Sequence, residues 1–335
     1  MALPTTTYDT ATVLNPSSAL TDFTLMVDLQ RMTSDWWAAV DTTKARRGRA
    51  FKDDGVTELA CDWIDFDSVA RTGWLRVKWS GTLATSGTQI LRVYPPNTAN
   101  SVQISSSTYG SDNAYDADWL VYIPDARSVD RTANGNDGTA GVDVSSAVGK
   151  VGEATSFPGI SGTGNVIVGD IYDPPDVSVS LWVKPDALYS GNRYLFSKNH
   201  LEMYMSNQSS FWTATTFTGI THTLDTWQHR VGTFDDATRT RNVYHNGTNE
   251  GSTSSLAALI PNNDDLRIGS DENGGKEYLG LINEFQVHQT ARPSAWVSHE
   301  YDQTNDQSAF WGTWNFSGEA SATTTSRSRD RSRTR

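Results

Sequence analysis

Short strand-like runs separated by polar turns recur along most of the chain, and they constrain its fold more than any other feature. Apolar and polar residues alternate with a period of two in residues 74–79 and 89–94, as in half-buried strands. Similar runs follow at residues 177–183, 229–234 and 281–288, and turns such as Asn246-Gly247 separate them. This pattern predicts an all-β protein of two β-sandwich domains.

Two segments predict short helices. Residues 33–40 begin with a Thr or Ser cap, carry an acid in the first turn and continue with apolar residues. Residues 293–301 begin with Pro and place apolar residues at helical spacing. Helix is therefore a minor part of the predicted fold.

The charge of the chain is unevenly distributed. The formal net charge is −12, so the folded body repels phosphate backbones and nucleic-acid binding by it is disfavoured. The C-terminal end opposes this trend, because residues 327–335 carry Arg at every second position against the single acid Asp330. This tail suits nucleic acid, an acidic lipid, an acidic protein or a neighbouring subunit's acidic body, or it is simply solvated.

Cys61 is the one cysteine, so no intramolecular disulfide can form and the fold must rest on its cores. The thiol is predicted to be a buried small hydrophobe. The N-terminus lacks the basic and apolar regions of a secretory signal, and no apolar run reaches the roughly 18 residues of a membrane span. We therefore expect the protein to stay where it is made, to leave by an unusual route or to be assembled into a particle.

Changes in composition divide the chain into four parts. Residues 1–15 form a Thr-rich extended arm, and residues 16–110 form a small β-sandwich domain that ends in a Ser/Thr/Asn-rich linker. Residues 111–316 form the second β domain. Residues 317–335 are a low-complexity Arg/Ser/Thr tail.

Four stretches of the second domain carry a family resemblance. They are DRTANGNDG at 130–138, GKVGEATSF at 149–157, VSLWVKPD at 179–186, and a series from WQH at 227–229 through YHNG at 244–247 and LRIG at 266–269 to GLINEF at 280–285. In this order they resemble the laminin-G-like, concanavalin A-like lectin/glucanase superfamily over about residues 115–290. The resemblance implies that the second domain is a concanavalin A-like jelly roll.

The first domain is similar to the small uncharacterised β domain that often precedes such modules in bacterial and phage surface proteins. Residues 23–29, 48–55, 74–77 and 90–94 carry this similarity. Modules of the superfamily serve as lectins, adhesion domains, particle-surface proteins and glycosidases, so the resemblance implies the fold and leaves the chemistry open.

No catalytic set is visible in the sequence, and we expect a non-enzymatic protein. Sandwich glycosidases need paired carboxylates on one strand, and the best local candidate holds Asp65 and Asp67, with Trp63 where a third acid would be expected. An exposed strand face or an Asp-rich turn is the favoured interpretation. The histidines are dispersed, and the motifs of serine hydrolases and of phosphate-binding loops are absent from the sequence.

Calcium is the cofactor that the Asp- and Asn-rich loops would suit, since it prefers hard oxygen ligands. The candidate ligands are Asp130, Asn134, Asp137, Asp271 and Asn283. The family resemblance implies a carboxylate at position 283, where this chain has Asn. The alternative is that these residues serve the turns, which favour Asn and Asp for backbone reasons.

Aromatic side chains on a jelly roll can stack on sugar rings. The candidate carbohydrate contacts are Tyr189, Tyr194, Phe211, Trp212 and Tyr278. The resemblance places Trp182, Trp227 and Phe285 at core positions, where we expect packing.

The sequence supports several functional hypotheses. The first is a virion accessory or structural protein, such as a capsid decoration, head fibre or tail-surface component of a phage, which would assemble as a homo-oligomer with other virion proteins at the particle surface and contact surface glycans. The alternative is a bacterial carbohydrate-binding or adhesion protein that acts outside the cell or at its surface. A glycoside hydrolase is the third hypothesis, and it requires two carboxylates on the concave face of the second domain.

Overall fold

The computed structural model describes residues 7–14, 18–85, 88–160, 162–187, 191–206, 209–212, 215–216 and 222–318, with the backbone alone for 209–212 and 215–216. The strands of its first part are β1 (Tyr8–Thr12), β2 (Leu20–Thr21), β3 (Thr24–Asp28), β4 (Arg49–Lys52), β5 (Glu58–Leu59), β6 (Cys61–Asp67), β7 (Thr72–Lys78), β8 (Thr82–Leu83) and β9 (Ile90–Tyr94). The second part holds β10 (Trp119–Ile123), β11 (Thr139–Ala140), β12 (Ser145–Val148), β13 (Glu153–Pro158), β14 (Val166–Gly169), β15 (Val177–Pro185), β16 (Arg193–Lys198), β17 (Leu201–Ser206), β18 (Ser209–Trp212), β19 (Thr215–Thr216), β20 (Gln228–Asp235), β21 (Thr240–His245), β22 (Thr248–Thr253), β23 (Leu266–Ile268), β24 (Leu279–His288) and β25 (Asn315–Ser317). The helices are α1 (Ser34–Ala38), α2 (Ser294–Asn305) and α3 (Gln307–Phe310).

The N-terminal unit packs a five-stranded sheet, in the order β25-β1-β9-β4-β5, and a three-stranded sheet, β3-β7-β6, around one core. Helix α1 begins where the Thr33 hydroxyl accepts a hydrogen bond from the Trp36 amide, as the sequence predicts. It buries Trp36 and Trp37 in that core. Strand β25 lies beside β1 at the edge of the five-stranded sheet, so the two ends of the described chain belong to the same sheet.

Two antiparallel sheets form the jelly roll. The larger has the order β12-β13-β24-β15-β20-β21-β22 with β10 also paired to β24, and the smaller has the order β11-β14-β23-β16-β17-β18-β19. The odd-numbered residues of β15 from Val177 to Val183 point between the sheets into the jelly-roll core. The alternation of the sequence therefore sets the inward face of the central strand.

Helix α2 covers the outer face of the larger sheet. The Trp182 indole donates to the Thr304 hydroxyl at 3.1 Å, and its ring stacks on Tyr301 at a centroid distance of 5.7 Å. Both faces of β15 are consequently buried, although its polar Ser178 and Ser180 are typical of an exposed face. The outer face of the larger sheet is thereby closed to solvent around these residues.

A buried ionic cluster joins the N-terminal unit to the larger sheet. Arg76 on β7 is fully buried and contacts both Glu284 on β24 and Glu300 on α2, the latter at 2.9 Å. The Tyr122 hydroxyl also donates to Glu284, at 2.8 Å. Glu284 has a φ of 56°, in the left-handed region that non-glycine residues rarely adopt. Burial raises its pKa to about 7, against the opposing effect of Arg76.

The predicted all-β class with a jelly roll in its second part is confirmed. The predicted Asn246-Gly247 hairpin is also confirmed, since His245 pairs with Thr248 and both turn residues have positive φ. Within the predicted 1–15 arm, β1 is a strand of the N-terminal sheet, and the four-part division itself stays a prediction. Among the described residues, no helix is long and apolar enough to cross a bilayer.

Candidate functional site

A buried lysine organises the loops at one end of the jelly roll. Lys198, the last residue of β16, is fully buried. Its Nζ lies 2.9 Å from Asp170 Oδ1 and 3.1 Å from Asp173 Oδ1, and it donates to the Asn262 carbonyl at 3.0 Å. Asp173 also accepts from the Asn262 amide at 2.9 Å. One ammonium group therefore ties the loop before β15 to the loop before β23.

The Lys198 ammonium, with the oxygen atoms of Asp170, Asp173 and Asn262 around it, is called the clamp here, and its position resembles that of a bound metal cation. Carboxylate and carbonyl oxygens surround the ammonium much as they would surround a metal ion. Burying the ammonium without these oxygens would cost several kcal/mol. Because the carboxylates compensate this cost only when they lie close to Nζ, the ammonium fixes the positions of both Asp side chains. The loops are held rigidly, which is what a binding surface on loops requires.

A hollow of about 460 Å³ lies beside the clamp. Its lining residues are Asp170, Ile171, Tyr172, Asp173, Pro261, Asn262 and Asn263. Tyr172 is 63% exposed, although an aromatic ring of this size usually gains by burial. The hollow thus combines one free aromatic face with carboxylate and amide groups that can exchange hydrogen bonds with hydroxyls.

A second, narrower cavity of about 200 Å³ adjoins the hollow and shares Asp173, Pro261 and Asn262 with it. Most of its other lining residues are apolar: Pro174, Pro175, Val177, Leu201, Ala258, Leu259 and Ile260, with His200 and Asp236 as polar members. The two spaces together offer a polar hollow with an apolar recess, a combination typical of small-molecule sites.

The outer face of the smaller sheet carries a second polar group of side chains. Along β17, Glu202 and Tyr204 alternate with buried residues and remain partly exposed. Glu202 lies opposite Ser197 in register, and the Ser197 hydroxyl donates to Glu272 at 3.2 Å. Burial, and then the charge of Glu272, raise the pKa of Glu202 to about 7. Two carboxylates therefore flank Ser197 on this face, which bears on the glycoside hydrolase hypothesis.

A serine and a histidine also meet on the opposite face of the molecule. Ser180 Oγ lies 2.9 Å from His229 Nε2, and both residues are buried beneath α2. Burial lowers the pKa of His229 to about 4, so its imidazole is neutral at physiological pH. Ser180 satisfies His229 Nε2, whereas His229 Nδ1 has no hydrogen-bond partner among the described residues, and the burial of both residues offers a substrate no access.

Tyr194 and Tyr278, two of the predicted aromatic contacts, do not line the hollow. Tyr278 is fully buried against Phe157, so its ring has no face free for a sugar. Tyr194 is 7% exposed, with its ring against Tyr204 and the Lys276 ammonium above it. Phe211 and Trp212 belong to β18, of which the backbone alone is described, and Tyr189 lies outside the described residues.

The predicted calcium ligands are engaged with donors of the chain itself. The Asp130 carboxylate accepts from the amides of Tyr122, Thr132 and Asn136. Asp137 accepts from the Asp130 amide, and Asn134 donates to the Trp119 carbonyl. These hydrogen bonds are those of a closed turn.

The two remaining predicted ligands are occupied in the same way. The Asp271 carboxylate accepts from the amides of Asn273 and Gly275. The Asn283 side chain accepts from the Val151 amide and donates to the carbonyls of Pro124 and Glu153. Within the described ranges, no group of His, Cys, Asp and Glu side chains is arranged to hold a metal ion.

The acids of β6 have structural roles. Asp67 accepts from the Val69 and Ala70 amides in a turn, as the sequence predicts. Asp62, at the start of the same strand, is buried and pairs with Arg131 at 2.6 Å. The partner lies 69 residues away along the chain, so no local pattern could identify it. Neither acid faces an open surface of the jelly roll.

Sequence reasoning missed Tyr172 and Lys198. Tyr172 stands in a loop with Asp and Pro on its C-terminal side, which is a turn signal. Lys198 is a charged residue at the end of a strand whose residues 194–196 are aromatic or apolar. A charged group predicted to be buried requires counter-charges, and the Asp residues of the neighbouring loops are the available ones. The need of a buried Lys198 for carboxylate partners could therefore have predicted the clamp from the sequence.

Comparison with known proteins agrees with this architecture. Residues 161–298 match the family model of the concanavalin A-like lectin/glucanases superfamily. No curated protein matches the chain. The resemblance found in the sequence is therefore confirmed for this part.

Several solved structures are similar to part of the chain, at low sequence identity and with TM-scores below 0.5. Domain 4 of AbnA, a GH43 extracellular arabinanase from Geobacillus stearothermophilus in complex with arabinotriose, aligns at 21% identity and a TM-score of 0.46, covering 55% of this chain and 98% of that one. The binding domain of Paraclostridial Mosquitocidal Protein 1 aligns at 14% identity and 0.45, covering 55% and 52%. The receptor binding domain of botulinum neurotoxin D aligns at 16% and 0.43, covering 55% and 52%. The chain spans about half of the length of the two toxin domains.

Proposed function

We propose that this concanavalin A-like module binds carbohydrate in the hollow beside Lys198. The observation that carries the proposal is the largely exposed ring of Tyr172 on a loop that a buried ammonium clamp fixes. A sugar ring presents an apolar face of C–H groups and a rim of hydroxyls, and both match the hollow. Tyr172 offers the stacking face, and Asp170, Asn262 and Asn263 line the hollow with hydrogen-bonding groups.

The charge around the hollow favours neutral sugars. Asp170 and Asp173 bring two carboxylates against the one ammonium of Lys198, so the immediate surroundings carry a net negative charge. The whole chain is also acidic, with a net charge of −12. Uronic or other acidic sugars would be repelled, whereas hydroxyls can donate to the half-exposed Asp170 carboxylate.

A glycan array tests the proposal. We expect the purified chain to bind neutral oligosaccharides, and Tyr172→Ala to weaken that binding about tenfold, the loss expected for one aromatic stacking contact. Tyr109→Ala is the matched control, because Tyr109 is also exposed, at 39%, and belongs to the N-terminal unit. Equal binding by all three proteins, or preferential binding of acidic glycans, would contradict the proposal.

The broader setting remains the hypothesis drawn from the sequence: a non-enzymatic accessory protein at a virion surface, with a homo-oligomer and other virion proteins as partners. The clamp and the hollow suit this setting and the alternative of a bacterial adhesion protein equally. Detection of the chain at stoichiometric copy in purified particles would support the virion hypothesis, and its absence from particles would contradict it.

The glycoside hydrolase hypothesis stays a prediction, and one pair of carboxylates on the smaller sheet is its candidate. Glu202 and Glu272 are the carboxylates that flank Ser197, and the raised pKa of Glu202 is a property of general acids. Release of reducing sugar that is lost in Glu202→Gln would establish hydrolysis. We favour binding, because Tyr172 in the hollow has an exposed ring on which a sugar can stack. On the described part of the smaller sheet, the ring of Tyr194 is covered.

A further inference from the structure

Arg230 lies inside the sandwich, at the end opposite to the hollow. On β20 it pairs in register with Leu181 of β15 and with His245 of β21. Leu181 belongs to the core between the two sheets, and residues paired in register share a face of the sheet, so Arg230 also points between the sheets. The Lys198 clamp is near the start of β15, whereas Arg230 pairs with Leu181 farther along β15 and Gln228 pairs with Val183 toward the end of that strand.

This guanidinium is buried without a counter-charge. Arg230 has no exposed surface, and among the described residues no carboxylate lies within ion-pair distance of it. Burial lowers its pKa to about 9, so it remains a cation at neutral pH. Tyr278 and the exposed Glu250 act in the opposite direction on this pKa, but they do not offset the effect of burial. A buried, unpaired cation is costly, and proteins pair such groups almost without exception.

Neighbouring side chains fix the guanidinium in one orientation. Its Nη2 donates to Gln228 Oε1 at 2.7 Å and to His222 Nδ1 at 3.1 Å. Gln228 is itself held, since its amide donates to the Thr223 carbonyl at 2.7 Å. Nε and Nη1, in contrast, have no hydrogen-bond partner in the described part of the chain. Three N–H groups are consequently pre-positioned and unused.

A histidine adjoins these donors with an unused ring nitrogen. His245, the register partner of Arg230, keeps its Nε2 buried and without a hydrogen-bond partner among the described residues. Burial, and then the charge of Arg230, lower its pKa to about 4, so the ring is neutral and one nitrogen carries a proton. In the tautomer protonated at Nε2, this ring adds a donor without adding charge.

We propose that Arg230 and His245 bind a small monovalent anion, either a halide or the carboxylate of a small acid, at this end of the jelly roll. The anion would accept from the free N–H groups of Arg230 and from His245 Nε2, and it would supply the negative charge that the described surroundings lack. Its size is limited because the guanidinium is closed off from solvent. This site is separate from the carbohydrate hollow and does not depend on it.

Thermal unfolding in matched salts tests the proposal. Sodium gluconate, whose anion is too bulky for the site, is replaced stepwise by chloride or by acetate up to about 100 mM at constant ionic strength. We expect the melting temperature of the wild-type chain to rise by about 5 °C with at least one of the two anions. Chloride and acetate then distinguish a halide site from a carboxylate site. Arg230→Met should abolish the dependence, and Arg71→Met, which removes an exposed arginine, should retain it.

Bromide locates the site even if Arg230→Met fails to fold. Crystals of the wild-type chain grown in bromide should show an anomalous peak within hydrogen-bond distance of Arg230 Nη1 or Nε. A melting temperature that is the same in gluconate, chloride and acetate would overturn the proposal, as would an anion dependence that persists in Arg230→Met or a bromide site confined to other positions.

Discussion

Replacing Arg76 by Met removes the one cation that the two buried carboxylates Glu284 and Glu300 share. Methionine preserves most of the volume, so the change concerns charge and hydrogen bonding more than packing. Breaking a buried ion pair on one side costs about 3–5 kcal/mol because the remaining charge is left uncompensated. Here two carboxylates remain, and we therefore expect the free energy of unfolding to fall by that amount or more at pH 8.

The same substitution has a defined pH dependence. Burial already raises the pKa of Glu284 to about 7, whereas Arg76 and the Gln286 amide keep the pKa of Glu300 below its ordinary value despite burial. Without Arg76 both pKa values rise. A raised carboxyl pKa leaves stability intact below about pH 4.5 and removes it as the pH rises through the folded-state pKa. At pH 5 both carboxyls of the variant are protonated, and the loss should shrink to about 1 kcal/mol, the value of the lost hydrogen bonds.

Urea unfolding at pH 5 and pH 8 measures both quantities. Arg71→Met is the control, since loss of an exposed arginine should change stability by less than about 0.5 kcal/mol. The triple variant Arg76→Met, Glu284→Gln, Glu300→Gln should recover much of the loss at pH 8, because amides need no counter-charge. A loss that is equal at the two pH values, or a triple variant no more stable than the single one, would refute the reasoning.

Three further predictions concern other buried groups. Lys198→Met should lower the free energy of unfolding by about 3–5 kcal/mol, and millimolar calcium should restore part of this loss by binding the freed oxygens of Asp170 and Asp173. Lys184→Met, the control, should show neither the loss nor an effect of calcium. Urea unfolding with and without calcium measures both, and a loss that calcium does not reduce would contradict the clamp. Glu202→Gln should flatten the fall in stability between about pH 4.5 and pH 7, because the raised pKa of Glu202 makes the folded state bind a proton in that window; an unchanged pH profile is the opposing result. Cys61 should react with Ellman's reagent at pH 8 after unfolding and hardly before, since burial raises its thiol pKa to about 12, and rapid reaction of the native chain would contradict this.

Local sequence patterns predicted the fold well where one strand or one turn contains the whole signal. The alternation of residues 177–183 sets the inward face of β15, and Asn246-Gly247 sets its hairpin through the positive φ of both residues. The pairing of β25 with β1 joins residues about 300 positions apart, and neither segment contains a local sequence signal that identifies the other strand. The ion pair of Asp62 with Arg131 escaped prediction for the same reason.

The candidate site was predicted less well than the fold. Sequence reasoning proposed sugar contacts at Tyr189, Tyr194, Phe211, Trp212 and Tyr278, whereas the largely exposed ring beside the hollow belongs to Tyr172 on a loop. Whether an aromatic side chain is exposed depends on what packs over it, and Tyr278 is covered by the core while Tyr172 is not. The sequence proposed calcium ligands at Asp130, Asn134, Asp137, Asp271 and Asn283, and that proposal stays a prediction. The loops at 170–173 and 262 were not among them, and there the oxygen atoms surround the ammonium of Lys198.

The most direct measurement of carbohydrate binding is a crystal structure of the chain with a neutral oligosaccharide that the array identifies. We predict one sugar ring stacked on Tyr172, with its hydroxyls hydrogen-bonded to Asp170, Asn262 and Asn263. A ring bound on the outer face of the smaller sheet, beside Glu202, would contradict it, and so would an array on which the chain binds no glycan at all.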